Sequence, residues 1–132
     1  MSTLTLKSIL VAALLTTSLA NTFAQNPTPL LTQPADKLVA VLQSSASQKE
    51  KVDACRQLSV IGTKAAVPAL VALLADEKLN HMARYALETI PDPGVDKALR
   101  DQLGKLTGRP LVGVIGSLGV RRDVYAVKPL TG

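Results

Sequence analysis

From Ala35 the apolar positions fall into helical spacing and stay in it to the end of the chain. Leu38, Val39, Val41 and Leu42 mark a short first helix, with Pro34 placed for its first turn, where a missing amide proton does no harm. Ser44 to Ala46 break it. Ser47 followed by Glu50 has the spacing of a capping box, which predicts a second helix from there to about Ile61, stopped at Gly62. Ala65 to Ala75 is apolar at every position and predicts a helix that must be covered on more than one side. A further helix is expected from about Leu79 to Ile90, ended by Pro91-Asp92-Pro93. Asp92 reads as an N-cap with Pro93 in the first turn, opening a helix to about Leu106. Val95, Ala98, Leu99, Leu103 and Leu106 line its apolar face, while Asp96 with Arg100, Lys97 with Asp101, and Asp101 with Lys105 stand four apart on the other. Leu111 to Leu118 predicts the next helix, ended by Gly119, and Asp123 is placed to cap a last one from Val124.

The front of the chain follows a different pattern. Lys7, the apolar run Ile9 to Leu15 and small residues at Ser18 and Ala20 or Thr22 and Ala24 have the three-part layout of a secretory signal peptide, expected to span residues 1–24 with cleavage after Ala20 or Ala24. The run is short of the roughly 20 apolar residues of a spanning helix, so a cleaved leader is expected rather than an anchor. Residues 25–34, with Pro27, Pro29 and Pro34, predict an extended Pro-rich linker. The expected localisation is therefore periplasmic or secreted.

Ends of alternate helices align as Leu58-Ser59-Val60-Ile61-Gly62, Leu87-Glu88-Thr89-Ile90-Pro91 and Ile115-Gly116-Ser117-Leu118-Gly119, which places Ile61, Ile90 and Leu118 29 and 28 residues apart. The intervening helices align as Val67-Pro68-Ala69-Leu70, Val95-Asp96-Lys97-Ala98-Leu99 and Val127-Lys128-Pro129-Leu130. Two helices per unit recurring near 30 residues predict an all-α fold, an α-solenoid of antiparallel helix pairs. Within this frame Ile61-Gly62-Thr63-Lys64-Ala65-Ala66-Val67-Pro68-Ala69-Leu70 resembles the core of a HEAT repeat in its short bacterial form. The resemblance covers about Lys49 to Gly132. It implies a capping helix at 35–44, a first repeat at 47–75, a second at 79–106 and a partial third at 110–132, about two and a half repeats. Pro91 and Pro93 replace the usual turn in the second unit, and Val120 to Asp123 stretch the third. The unfinished third pair leaves the apolar side of Leu111, Val112, Val114, Ile115 and Leu118 without its partner, so the chain is expected to be the N-terminal part of a longer solenoid.

Composition narrows the function. Hydrophobic residues at 47% rule out wholesale disorder, and aromatics at 2% leave nothing from which to build a base-stacking platform. A single Cys excludes an internal disulfide, and one His with one Cys excludes the usual zinc sets. The net charge of +5, or +4 without Lys7, is modest and spread along the chain, so nucleic acid is not an expected partner. Gly113, Gly116 and Gly119 do not match the dinucleotide pattern G-x-G-x-x-G and read instead as sites of close helix packing, in a helix that three glycines make the least stable. His81 stands without a second ligand or base, and Cys55 beside Ala54 reads as a buried, inert thiol. No catalytic, cofactor-binding or metal-binding residue is expected. The candidate partner-binding residues are Arg109, Arg121 and Arg122, a basic rim with Lys105 and Arg100 nearby in sequence.

HEAT-like families mostly act as protein-binding scaffolds, and the resemblance implies that role here: a non-catalytic exported scaffold engaging a protein partner or additional domains of its own chain. The alternatives are an accessory part of a longer exported enzyme or redox protein, and, more remotely, a relative of the HEAT-like bilin lyases. No nucleophile and base pair supports the last of these.

Overall fold

The computed structural model describes residues 33–132. The expected leader and all of the Pro-rich segment except Gln33 and Pro34 lie outside the described residues. Seven α-helices follow one another: α1 Ala35–Gln43, α2 Gln48–Ile61, α3 Val67–Ala72, α4 Asn80–Thr89, α5 Pro93–Arg100, α6 Gly108–Val120 and α7 Val127–Thr131. Short 3-10 turns at Lys64–Ala66 and Val124–Ala126 lead into α3 and α7, and no strand occurs among the described residues.

Local chemistry sets the helix starts. At α2 the Ser47 hydroxyl accepts from the Glu50 amide at 3.3 Å while the Glu50 carboxylate accepts from the Ser47 amide at 2.8 Å, the reciprocal capping box. The Ser47 hydroxyl also donates to that carboxylate, and this, followed by the backbone bond, holds the Glu50 carboxyl below its ordinary range. Asp76 plays a similar part before α4, accepting from the amides of Lys78 and Leu79 at 2.8 and 3.1 Å. The Asp92 carboxylate accepts from the Gly94 amide at 2.7 Å with Pro93 in the first turn of α5. Gly108 opens α6 at φ +59°, a left-handed conformation that glycine adopts without steric penalty.

Three spans differ from the sequence expectation. Ala65 to Ala75 is not one helix buried all round: Ala66, Val67, Ala69, Leu70, Leu73 and Leu74 point inward, whereas Ala65, Pro68, Ala72 and Ala75 form a solvent face. Small side chains lose little by exposure, so an apolar face can stand in water when it is made of alanine. The α5 helix ends at Arg100 rather than Leu106, and i→i+3 bonds from Gln102 to Leu99 and from Leu103 to Arg100 tighten the chain beyond it. Gly119 does not end α6. The helix continues to Val120 and closes through bonds from the Arg122 amide to Gly119 O and from the Asp123 amide to Leu118 O, a Schellman arrangement.

Alternate helices pack in succession, α2 on α4 and α4 on α6, with α3 against α4 and α5. The α1 helix lies across α2 and α3 and covers their outer side. One continuous core runs through all of them, with Leu58, Leu70, Leu74, Leu87, Val95, Leu99 and Val114 fully enclosed. Burial of each such side chain contributes roughly 1.5–3 kcal/mol, far more than helix propensity supplies. Cys55 sits in the same core and burial pushes its thiol up to about 11, so it behaves as a small apolar residue.

Leu99→Asp is expected to abolish cooperative thermal unfolding followed by circular dichroism, because it places an unpaired carboxylate where no solvent reaches. Ser47→Ala removes one half of the capping box and is expected to lower stability by about 1 kcal/mol in urea titration, with the fold retained.

Candidate functional site

The three arginines singled out by the sequence do not form one rim. Arg109 lies at the start of α6 and Arg122 just beyond its end, about 20 Å apart at the helical rise per residue. Arg109 borders a hollow shared with Lys105 and Glu77, on a different part of the surface from Arg122.

Arg121 is turned inward. Its side chain is 11% exposed, and its guanidinium gathers the end of α4 and the start of α5. Nη1 donates to the carbonyls of Leu87, Glu88 and Ile90, Nη2 donates to Asp92 O at 3.0 Å, and Nε pairs with the Asp96 carboxylate. The carbonyls at the end of α4 have no partner within their own helix, and a cation at that end also complements the helix dipole. One side chain thus satisfies the Leu87 and Glu88 carbonyls, adds a second bond to those of Ile90 and Asp92, and fixes the turn to the end of α6. Asp96 and Arg100, which the spacing places as a pair on α5, reach past each other: Asp96 to Arg121, and Arg100 to Asp123. Lys97 and Asp101 do pair at 2.7 Å, and that bond holds the Asp101 carboxyl below its ordinary range. The Asp123 carboxylate is itself nearly enclosed, also accepts from the Tyr125 amide, and has the Arg100 guanidinium stacked over the Tyr125 ring at 5.5 Å.

Two more polar contacts fasten α6 to α4. The buried Ser117 hydroxyl donates to Glu88 at 2.6 Å, and Arg84 donates to Gly113 O at 3.2 Å. A Cβ on Gly113 would lie 2.6 Å from Arg84 Nε, so this glycine does serve close packing, as expected. Gly116 and Gly119 do not: nothing lies within 4 Å of where their Cβ atoms would be.

Both of these glycines are exposed, and Gly119 lies at the open side of α6. There Ile115, Leu118, Gly119, Val124, Val127 and Leu130 line an apolar groove of about 450 Å³, with Arg122 on its edge. The 3-10 turn and helix that frame it repeat the local structure at Lys64 to Leu70, sixty residues earlier. Ala66 and Ala126 are buried in both places, but Val67 and Leu70 are 8% and 0% exposed where Val127 and Leu130 are 61% and 43% exposed. The difference is that α1, α4 and α5 all pack against α3, whereas α7 has no comparable packing against another described helix. Arg122 is exposed and has no side-chain partner among the described residues. It occupies φ +56°, where a non-glycine residue is held at a cost of about 1 kcal/mol.

Elsewhere the chemistry is sparse. His81 is exposed on α4, Cys55 is enclosed, and no group of three His, Cys, Asp or Glu residues is arranged to hold a metal among the described residues. No described helix is long and apolar enough to cross a membrane.

Arg121→Met is expected to lower unfolding free energy by about 2–3 kcal/mol in denaturant titration, since it strips Asp96 and the Leu87 and Glu88 carbonyls of their partner together. Arg122→Ala is expected to leave stability unchanged, and Arg122→Gly to raise it by about 0.5–1 kcal/mol by relieving the left-handed backbone. The chain matches no protein-family model, no curated protein and no solved structure.

Proposed function

We propose that the chain is a non-catalytic HEAT-like α-solenoid that acts as an exported binding module, engaging another protein or a further domain of its own chain through the side of α6 and α7. The observation that carries this reading is the exposure of Val127 and Leu130 where Val67 and Leu70, in the same local structure, are buried. Ile115 and Val124 line the same groove and extend that exposed surface. Contiguous apolar surface of this kind is characteristic of interaction sites, whereas scattered exposed residues such as Val60 and Tyr85 need no explanation. The helical-repeat part of the proposal is supported by the 29-residue separation of the contacts Arg84 to Gly113 and Glu88 to Ser117. It is supported also by the succession of α2, α4 and α6 in the packing. Export is supported by the layout of residues 1–24.

The test is site-specific photo-cross-linking in the producing cells, with the photoreactive residue at Val127 in one strain and at Val60, exposed on α2, in another. A recurrent adduct from Val127 that is absent from Val60 and is lost with Ile115→Asp is the expected result. Identical background from both positions would overturn the proposal.

A further inference from the structure

We infer that the groove between α6 and α7 takes an acidic amphipathic helix, an inference that rests on reading the chain as a binding module. Three observations on this face converge. Its floor is apolar, formed by Ile115, Leu118, Val124, Val127 and Leu130, and asks for a matching apolar stripe. Its wall includes bare backbone at Gly119, and neither there nor at Gly116, exposed nearly a turn earlier, does anything lie within 4 Å of a Cβ position. Each glycine costs the helix about 1 kcal/mol relative to alanine, and what it provides in return is room for another backbone to come close. Its charge is of one sign. Of the two charged residues that line the groove, Asp123 is neutralised by Arg100, which leaves Arg122 with no side-chain carboxylate to pair with among the described residues. Arg122 is held there in a backbone conformation that favours glycine, which keeps a cation at the edge against local preference.

The length of α6 suits a partner helix of about four turns, roughly 20 Å. Apolar residues spaced three and four apart would face the groove, and Asp or Glu beside that stripe would meet Arg122. A second copy of this chain is disfavoured as occupant, because a two-fold contact through the same face brings the unpaired Arg122 of both copies to one seam.

The experiment titrates the isotopically labelled full chain with two synthetic 18-residue amphipathic helices, identical in their leucine stripe but flanked by Glu in one and by Lys in the other. Amide resonances and light scattering are recorded together. The Glu-flanked peptide is expected to shift the signals of Gly119, Val127 and Leu130 and to bind about tenfold more tightly than its Lys-flanked twin at low salt. Arg122→Gln is expected to weaken it about threefold, and Gly119→Leu, which fills open space without touching the core, by about tenfold or more. Equal binding of the two peptides, shifts on another face, absence of binding at millimolar peptide, or a dimer that Val127→Asp dissolves would each overturn the inference. If the peptides fail while the Val127 cross-link captures a specific partner, only the acidic-helix chemistry falls. If both fail, the binding-module reading falls with it.

Discussion

The placement of α6 against the α4–α5 corner depends most on one guanidinium. Five backbone and side-chain acceptors around Arg121 belong to three segments: the end of α4, the turn Ile90 to Asp92, and α5. Ile90 O and Asp92 O also accept from the Asp92 and Val95 amides, but without Arg121 the Leu87 and Glu88 carbonyls would be left unpaired, a condition that folded proteins rarely tolerate. With it, the end of α6 is fixed to the α4–α5 corner, and the Schellman turn that follows aims Asp123 at Arg100 and leaves Arg122 outside. Hydrophobic burial supplies the bulk of the driving force, but it is non-directional; the Arg121 contacts select one position for α6 among many that would bury Val114 and Leu118.

The same arrangement separates two kinds of arginine that the sequence presents side by side. Arg121 and Arg122 differ by one position, which on a closing helix turns one side chain into the structure and the other out of it. Their neighbourhood in the chain suggests a joint role, yet the first stabilises the fold and the second is free to act on a partner. Arg109, about four turns earlier on α6, belongs to a separate hollow.

Most helix starts were legible in the sequence because they depend on neighbours within three residues: Ser47 with Glu50, and Asp92 with Pro93. The apolar faces followed for the same reason, with Val95, Leu99 and Leu106 all buried as their spacing implies. What was not legible depends on residues distant in the chain. The engagement of Asp96 and Arg100 reaches 25 and 23 positions ahead, and local four-residue spacing offers a nearer partner that the fold does not use. The solvent face of Ala65, Pro68, Ala72 and Ala75 escaped notice because hydropathy counts alanine with leucine, although its exposure costs far less. A signal for the interhelix contacts was present: Glu88 and Ser117 stand 29 positions apart, the same interval that separates Ile61 from Ile90.

Native-state hydrogen exchange read by mass spectrometry tests most directly whether Arg121 makes α6 and the α4–α5 corner one unit. The amides of Ser117 to Asp123 and those of Ile90 to Val95 are predicted to lose protection in a single cooperative step as denaturant is added. Opening of α6 at clearly lower denaturant, with the α4–α5 corner still protected, would contradict the account and reduce the Arg121 contacts to decoration on a core that holds without them.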